Sequence, residues 1–197
     1  MRGLVLLHGR GGSAADMRGL VPLLGAEGMA VAAPEADGHS WWPTSFLAPS
    51  AEMEPWVERG IAAVEDAVDS LGLPREEVAV LGFSQGACLA LEYMARRGAG
   101  GVVAFSGGLV GTGDAGGPDA ALGGYGGKAF DYRTDLVGAP ALVTCHERDP
   151  HIPLARARES AAVLERLGAA VRLVAHPGAG HQPMPDGLAA ARALLAE

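Results

Sequence analysis

The sequence predicts an α/β fold, an open and mostly parallel sheet of about six strands with helices on both faces. Three observations predict it. Six short apolar runs, at 4–7, 29–33, 78–81, 102–105, 141–145 and 171–175, lack the in-and-out alternation of a half-solvated strand, so they read as strands covered on both sides. Segments of helical periodicity separate them, and strand–helix alternation within one sheet calls for right-handed crossovers. The third observation is size: 197 residues, 49% of them hydrophobic, make one domain over 1–197, with core enough to fold without metal or disulfide staples.

The elements follow in order. The first apolar run stops at His8, short of the roughly 7–15 apolar residues of a secretory signal, and no stretch approaches the ~18 of a membrane helix. After the second run, Ser50 is expected to cap a helix. Glu52 and Glu54 lie near its N-terminal dipole, Val57, Ile61, Val64, Val68 and Leu71 recur at spacings of 4, 3, 4 and 3, and Gly72 and Pro74 stop it. The third run leads directly into a helix that starts after Ser84 and passes Met94 to Gly98. The fourth run opens into a glycine-dense tract, 107–127, read as a long loop with a functional or mobile role. A helix over 154–167, closed by Gly168, follows the fifth run, and a last helix starts at Asp186. In such sheets the active site lies at the carboxyl ends of the strands.

Charge excludes two classes of partner. Acidic residues number 23 against 15 basic ones, for a formal net charge of −8, and the basic residues are scattered arginines with Lys128 as the sole lysine. No basic stripe exists to hold nucleic acid or anionic lipid. Two cysteines, Cys88 and Cys145, offer a single possible pair, which argues for reduced thiols and a cytoplasmic protein without stable membrane insertion.

Two glycine motifs compete for the function. Gly9-Arg10-Gly11-Gly12-Ser13-Ala14 matches a dinucleotide-binding fingerprint, and Glu35 stands where a ribose-binding carboxylate would. Gly82-Phe83-Ser84-Gln85-Gly86 matches the nucleophile elbow, GxSxG. With 30 glycines and eight serines, chance alone supplies roughly 0.2 copies of GxSxG, so context has to decide. Context favours the elbow. It sits between a strand and a helix, small neighbours accommodate a strained backbone, and the helix dipole with the N–H of Gln85 faces a developing oxyanion. A second donor, the N–H of Arg10, comes from the glycine loop after the first strand, with His8 holding that loop.

A serine nucleophile needs a base and an orienting carboxylate, in the chain order Ser, Asp or Glu, His. His181, after Gly178-Ala179-Gly180 in a loop before the last helix, is the expected base, with His176 at the end of the last strand as the alternative. Asp149, in a proline-braced turn after the fifth strand, is the expected carboxylate and Glu147 the fallback. Trp41, Trp42 and Phe46 form an aromatic loop suited to roofing a substrate pocket, and the glycine tract with Tyr125 and Phe130 offers a second wall.

HGRGGS after the first strand, GFSQGA at the elbow, DPHIP and the late Gly-His together resemble the phospholipase/carboxylesterase family of α/β-hydrolases, over nearly the whole chain. The resemblance implies a minimal α/β-hydrolase sheet, a triad of Ser84, Asp149 and His181, and backbone oxyanion donors at Arg10 and Gln85. The expected activity is hydrolysis of small to medium carboxylic esters through an acyl-enzyme, with no metal or organic cofactor. Thioesterase or lysophospholipase activity on longer chains, and non-catalytic binding of a small ligand, are the alternatives.

Overall fold

Alternate residues of each central strand face opposite helix layers, which is why the apolar runs are unbroken. In the computed structural model, which describes residues 1–196, six parallel strands form one sheet: β1 (Gly3–Leu7), β2 (Ala30–Ala32), β3 (Val78–Phe83), β4 (Gly101–Phe105), β7 (Pro140–Arg148) and β8 (Ala170–Ala179), in the order β2-β1-β3-β4-β7-β8. Leu4 pairs with Ala79 and Val5 with Val80 across the centre. Val5, Leu7, Val78 and Val80 enter a core built with helices α3 (Ser50–Ser70), α4 (Gln85–Arg97) and α5 (Leu154–Arg166). Leu4, Leu6, Ala79 and Leu81 enter the opposite core, shared with α1 (Ala14–Arg18), α2 (Val21–Leu24) and α6 (Pro185–Leu195). Burial on both faces leaves no polar alternation to read.

The structure departs from the expected elements in four places. Ser50 is the first residue of α3 rather than its cap: Pro49 takes the cap position without a side-chain bond, and the Ser50 hydroxyl, packed against Gly111, has no partner among the described residues. The fifth and sixth strands run further than their apolar cores, to Arg148 and Ala179, so His176 lies inside a strand. Two short helices, α1 and α2, follow the first glycine loop, and Ser13 and Asp16 form a capping box on α1. The glycine tract is ordered in part: β5 (Ala115–Pro118) and β6 (Gly126–Gly127) pair antiparallel around a short 3₁₀ turn at Ala120–Leu122. Among the described residues no helix is long and apolar enough to cross a membrane.

Candidate active site

β3 ends where α4 begins, and the single residue between them carries the bend. Ser84 has φ 53° and ψ −117°, a conformation that L-residues rarely occupy and that must be held by its surroundings. Its N–H donates to the Phe105 carbonyl at 2.9 Å and its carbonyl accepts the Cys88 N–H at 3.0 Å. The flanking glycines are sterically required. A Cβ on Gly82 would overlap the Gly86 carbonyl, and one on Gly86 would overlap the Leu7 carbonyl of β1.

The Ser84 Oγ lies 2.8 Å from Nε2 of His181, whose Nδ1 lies 2.8 Å from Asp149 Oδ2 and 2.9 Å from Oδ1. Asp149 sits in an Asx turn just beyond β7, accepting the N–H of His151 at 2.9 Å and of Ile152 at 3.0 Å. Burial pushes its pKa up, but the bonds from His181 and these two amides outweigh burial and hold the carboxyl below its ordinary value. A carboxylate only accepts, so Nδ1 of His181 carries the proton, and Nε2 is left to accept from the Ser84 hydroxyl. His181 stands two residues past the end of β8 at Ala179, a strand that shifts register against β7 between His146 and Arg148. A Cβ on Gly180 would come within 2.6 Å of the His146 ring, so only glycine lets the chain pass.

The loop after β1 closes over the elbow. Gly9 packs so tightly that a Cβ there would meet the Cβ of Ser84 at 3.2 Å. The Ala36 N–H donates to His8 Nε2 at 3.0 Å, which places the His8 proton on Nδ1, 2.8 Å from the Gly9 carbonyl. The Gly11 N–H donates to the His39 carbonyl at 2.8 Å and the Gly12 N–H to the Gly9 carbonyl at 3.0 Å. The N–H groups of Arg10 and Gln85 have no partner among the described residues. Here the side chain of Gln85 matters as much as its backbone. Its Oε1 accepts the Trp41 N–H at 2.9 Å and its Nε2 donates to the Trp42 carbonyl at 2.8 Å, so the residue after Ser84 grips the aromatic loop.

A cavity of about 650 Å³ opens over Ser84 and His181, lined in part by Trp42, Phe46, Phe83, Cys88, His151 and Ile152. Trp41, expected as a pocket residue, does not line it. Its ring stacks on His8 with centroids 5.2 Å apart, and its indole N–H donates to the His8 carbonyl at 2.9 Å, bracing the glycine loop from behind. The glycine tract, expected as a second wall, contributes no lining residue; that wall comes from Pro150, His151 and Ile152. Phe83 and Ile152 were missed in the sequence although they stand inside the GFSQG and DPHIP motifs.

The rival assignments separate in space. Glu35 accepts the Ala14 N–H at 2.8 Å at the start of α1, a local use of the carboxylate that does not call for a ribose. His176 is buried against His146, with centroids 5.1 Å apart, and its Nδ1 lies 3.4 Å from Asp186. Glu147 is exposed and accepts the Gly178 N–H at 3.3 Å. Among the described residues no three His, Cys, Asp or Glu side chains converge as metal ligands.

A six-stranded parallel sheet with a serine on a strained strand-to-helix turn, at the carboxyl end of a central strand, is an α/β-hydrolase. The family model described as phospholipase/carboxylesterase matches residues 2–115, and the chain belongs to that family of hydrolases. A solved phospholipase/carboxylesterase from Dyadobacter fermentans DSM 18053 is 36% identical, with TM-score 0.85 over 100% of this chain and 90% of the other. Esterase PE8 is 26% identical, with TM-score 0.75 over 98% and 91% of the two chains. A carboxylesterase from Mesorhizobium loti, 22% identical over 99% of this chain and 88% of its own, shares the fold with TM-score 0.71. No curated protein matches the sequence.

Proposed function

We propose that the protein is a serine carboxylesterase acting on small to medium carboxylic esters, with Ser84 as nucleophile, His181 as base and Asp149 as orienting carboxylate. One observation carries the reading: the His181 ring bridges Ser84 Oγ and Asp149, at 2.8 Å on each side. Ser84 Oγ attacks the ester carbonyl carbon while its proton passes to Nε2 of His181. Asp149 holds the tautomer and balances the imidazolium. The carbonyl oxygen becomes an oxyanion and takes the free N–H groups of Arg10 and Gln85. When the tetrahedral species collapses, the C–O bond to the alcohol breaks and the alcohol leaves with the proton from His181. Water then attacks the acyl-enzyme, gives a proton to His181, and the acid departs as Ser84 Oγ recovers that proton. No step uses a metal or an organic cofactor.

A cavity of about 650 Å³ suits a small-molecule ester. The two buried, unpaired thiols of Cys88 and Cys145 fit a reducing cytoplasm. The test is intact-mass labelling with a fluorophosphonate, together with hydrolysis of p-nitrophenyl esters of increasing acyl length. Wild type is expected to gain one adduct, and Ser84→Ala to gain none and to lose about 10⁶-fold in turnover, as loss of a triad serine does. An unlabelled, folded wild type that hydrolyses no ester would overturn the assignment.

A further inference from the structure

We propose that this site prefers esters bearing an anionic group near the scissile bond, a carboxylate foremost, and that the Arg10 guanidinium recognises it; the proposal rests on the esterase reading above. Of the residues lining the cavity over Ser84, Arg10 alone carries a permanent charge, and no Asp or Glu is among them. It makes no ion pair among the described residues, as is true of most arginines of the chain, so no carboxylate neutralises the charge it brings to the cavity. What sets Arg10 apart is its place: its uncompensated charge faces the cavity over Ser84, where an anionic substrate group meets no competing carboxylate in the lining.

The side chain is also held in place. Nη1 donates to the Pro43 carbonyl at 2.9 Å and Nη2 to the Thr44 carbonyl, on the loop that presents Trp42 and Phe46 to the cavity. Two of the five guanidinium donors are thereby used, and three stay open. A solvated arginine would lose several rotors on binding an anion, whereas this one has already lost them to the two carbonyls. Its backbone N–H is the proposed oxyanion donor, and Arg10 and Ser84 line one cavity, so the charge and the reacting carbonyl share that space.

The experiment compares kcat/KM for mono-p-nitrophenyl glutarate with that for p-nitrophenyl valerate, matched in length but differing by one carboxylate. A second arm compares 3-carboxy-4-nitrophenyl valerate with p-nitrophenyl valerate and moves the anion to the leaving group. At least one ratio is expected to exceed about tenfold in wild type, the factor one charge-assisted hydrogen bond supplies. It should fall toward one in Arg10→Met, partly survive in Arg10→Lys, and shrink as salt screens the charge. Any damage Arg10→Met does to the oxyanion loop slows both esters and cancels in the ratio. Ser45→Glu, which sets a carboxylate into the cavity lining while sparing Arg10, should lower the same ratio. Both wild-type ratios near one with the neutral ester turned over, or a ratio unchanged in Arg10→Met, overturn the proposal and leave the esterase reading intact. Failure of wild type to hydrolyse any ester or take up a fluorophosphonate overturns the esterase reading itself, and this proposal with it.

Discussion

Helix α4 holds polar groups at its two ends under opposite rules. Toward its C-terminal half, Glu92 is wholly buried and fully answered. Its carboxylate takes the Lys128 ammonium at 3.1 Å, Arg96 Nε at 2.8 Å, the Tyr132 hydroxyl at 2.8 and 3.0 Å, and the Val110 N–H at 2.8 Å. Burial alone would raise its pKa; Lys128 and Arg96 outweigh burial and keep it below the ordinary carboxylate value. At the N-terminal end the backbone of Ser84 is strained, and the N–H groups of Gln85 and Arg10 point to no protein acceptor. A saturated buried cluster has no bond left to offer a ligand, while donors left unanswered beside a cavity cost stability and stay available. The first end pins the glycine tract to the helix through the Val110 N–H; the second is where we place the chemistry.

The contrast is broken most severely by changing the carboxylate at the reactive end. Asp149→Asn keeps an oxygen for the His151 and Ile152 amides, so the turn survives, but its amide presents an N–H to His181 and reverses the imidazole tautomer. Turnover of p-nitrophenyl esters is expected to fall by about 10⁴-fold with the fold retained, as in other triads. Near-normal turnover in a folded Asp149→Asn protein would remove Asp149 from the mechanism.

At the saturated end the expected effect lies in stability. Glu92→Gln leaves the ammonium of Lys128, 8% exposed, beside a neutral amide, and breaking such a buried pair costs about 3–5 kcal/mol, read as a lower urea midpoint. Turnover per folded molecule should be retained, which separates the two ends of the helix. The pH dependence has a definite sign. Because the folded-state pKa of Glu92 is depressed, its contribution is present above its unfolded value of about 4.3 and is lost as pH falls through the lower folded value. Wild type should therefore lose stability on acidification below about pH 4.3, and Glu92→Gln should lose less over the same range. Asp149, depressed in the same direction, keeps the variant's dependence from vanishing.

The same contrast explains what could be read from the sequence. Strands β1, β3, β4 and β7 were legible because burial on both faces writes itself as an unbroken apolar run. The convergence of Ser84, Asp149 and His181, our proposed triad, was legible because each stands in a short local pattern that its backbone requires: glycines at the elbow, prolines around the Asx turn, glycine before the histidine. What escaped depends on partners distant in the chain. Gln85 meets Trp41 44 residues away and Glu92 meets Lys128 36 residues away, and no local pattern marks either pair. Nothing local marks Glu92 as buried, and Trp41 reads in sequence as a pocket aromatic, until the tertiary fold supplies Lys128 for one and His8 for the other. The Ser13–Asp16 capping box is local, but Ser13 also falls within the glycine pattern that matches a dinucleotide fingerprint, so the same residues carry two patterns. Ser50 shows the converse error, a residue of cap-forming type whose hydroxyl faces Gly111 instead of the helix amides.

The smallest expected effect sharpens the comparison at the reactive end itself. Cys88 lies one turn along α4 from Ser84 and lines the same cavity, and a thiol is intrinsically the better nucleophile. What differs is the partner. Ser84 Oγ has an imidazole nitrogen at 2.8 Å, whereas Cys88 Sγ has the Gly108 N–H at 3.4 Å and no base. Burial pushes the thiol up to about 12, against which that one amide bond is a weak correction. At pH 8 the thiol is then held in its protonated form, and the thiolate is the reactive one. Iodoacetamide at pH 8 is expected to leave both ester turnover and the mass of Cys88 unchanged, under conditions where a fluorophosphonate consumes Ser84. Alkylation of Cys88 with loss of turnover would show an ionised thiol in the cavity, and reactivity there would then follow from access rather than from the base that His181 supplies.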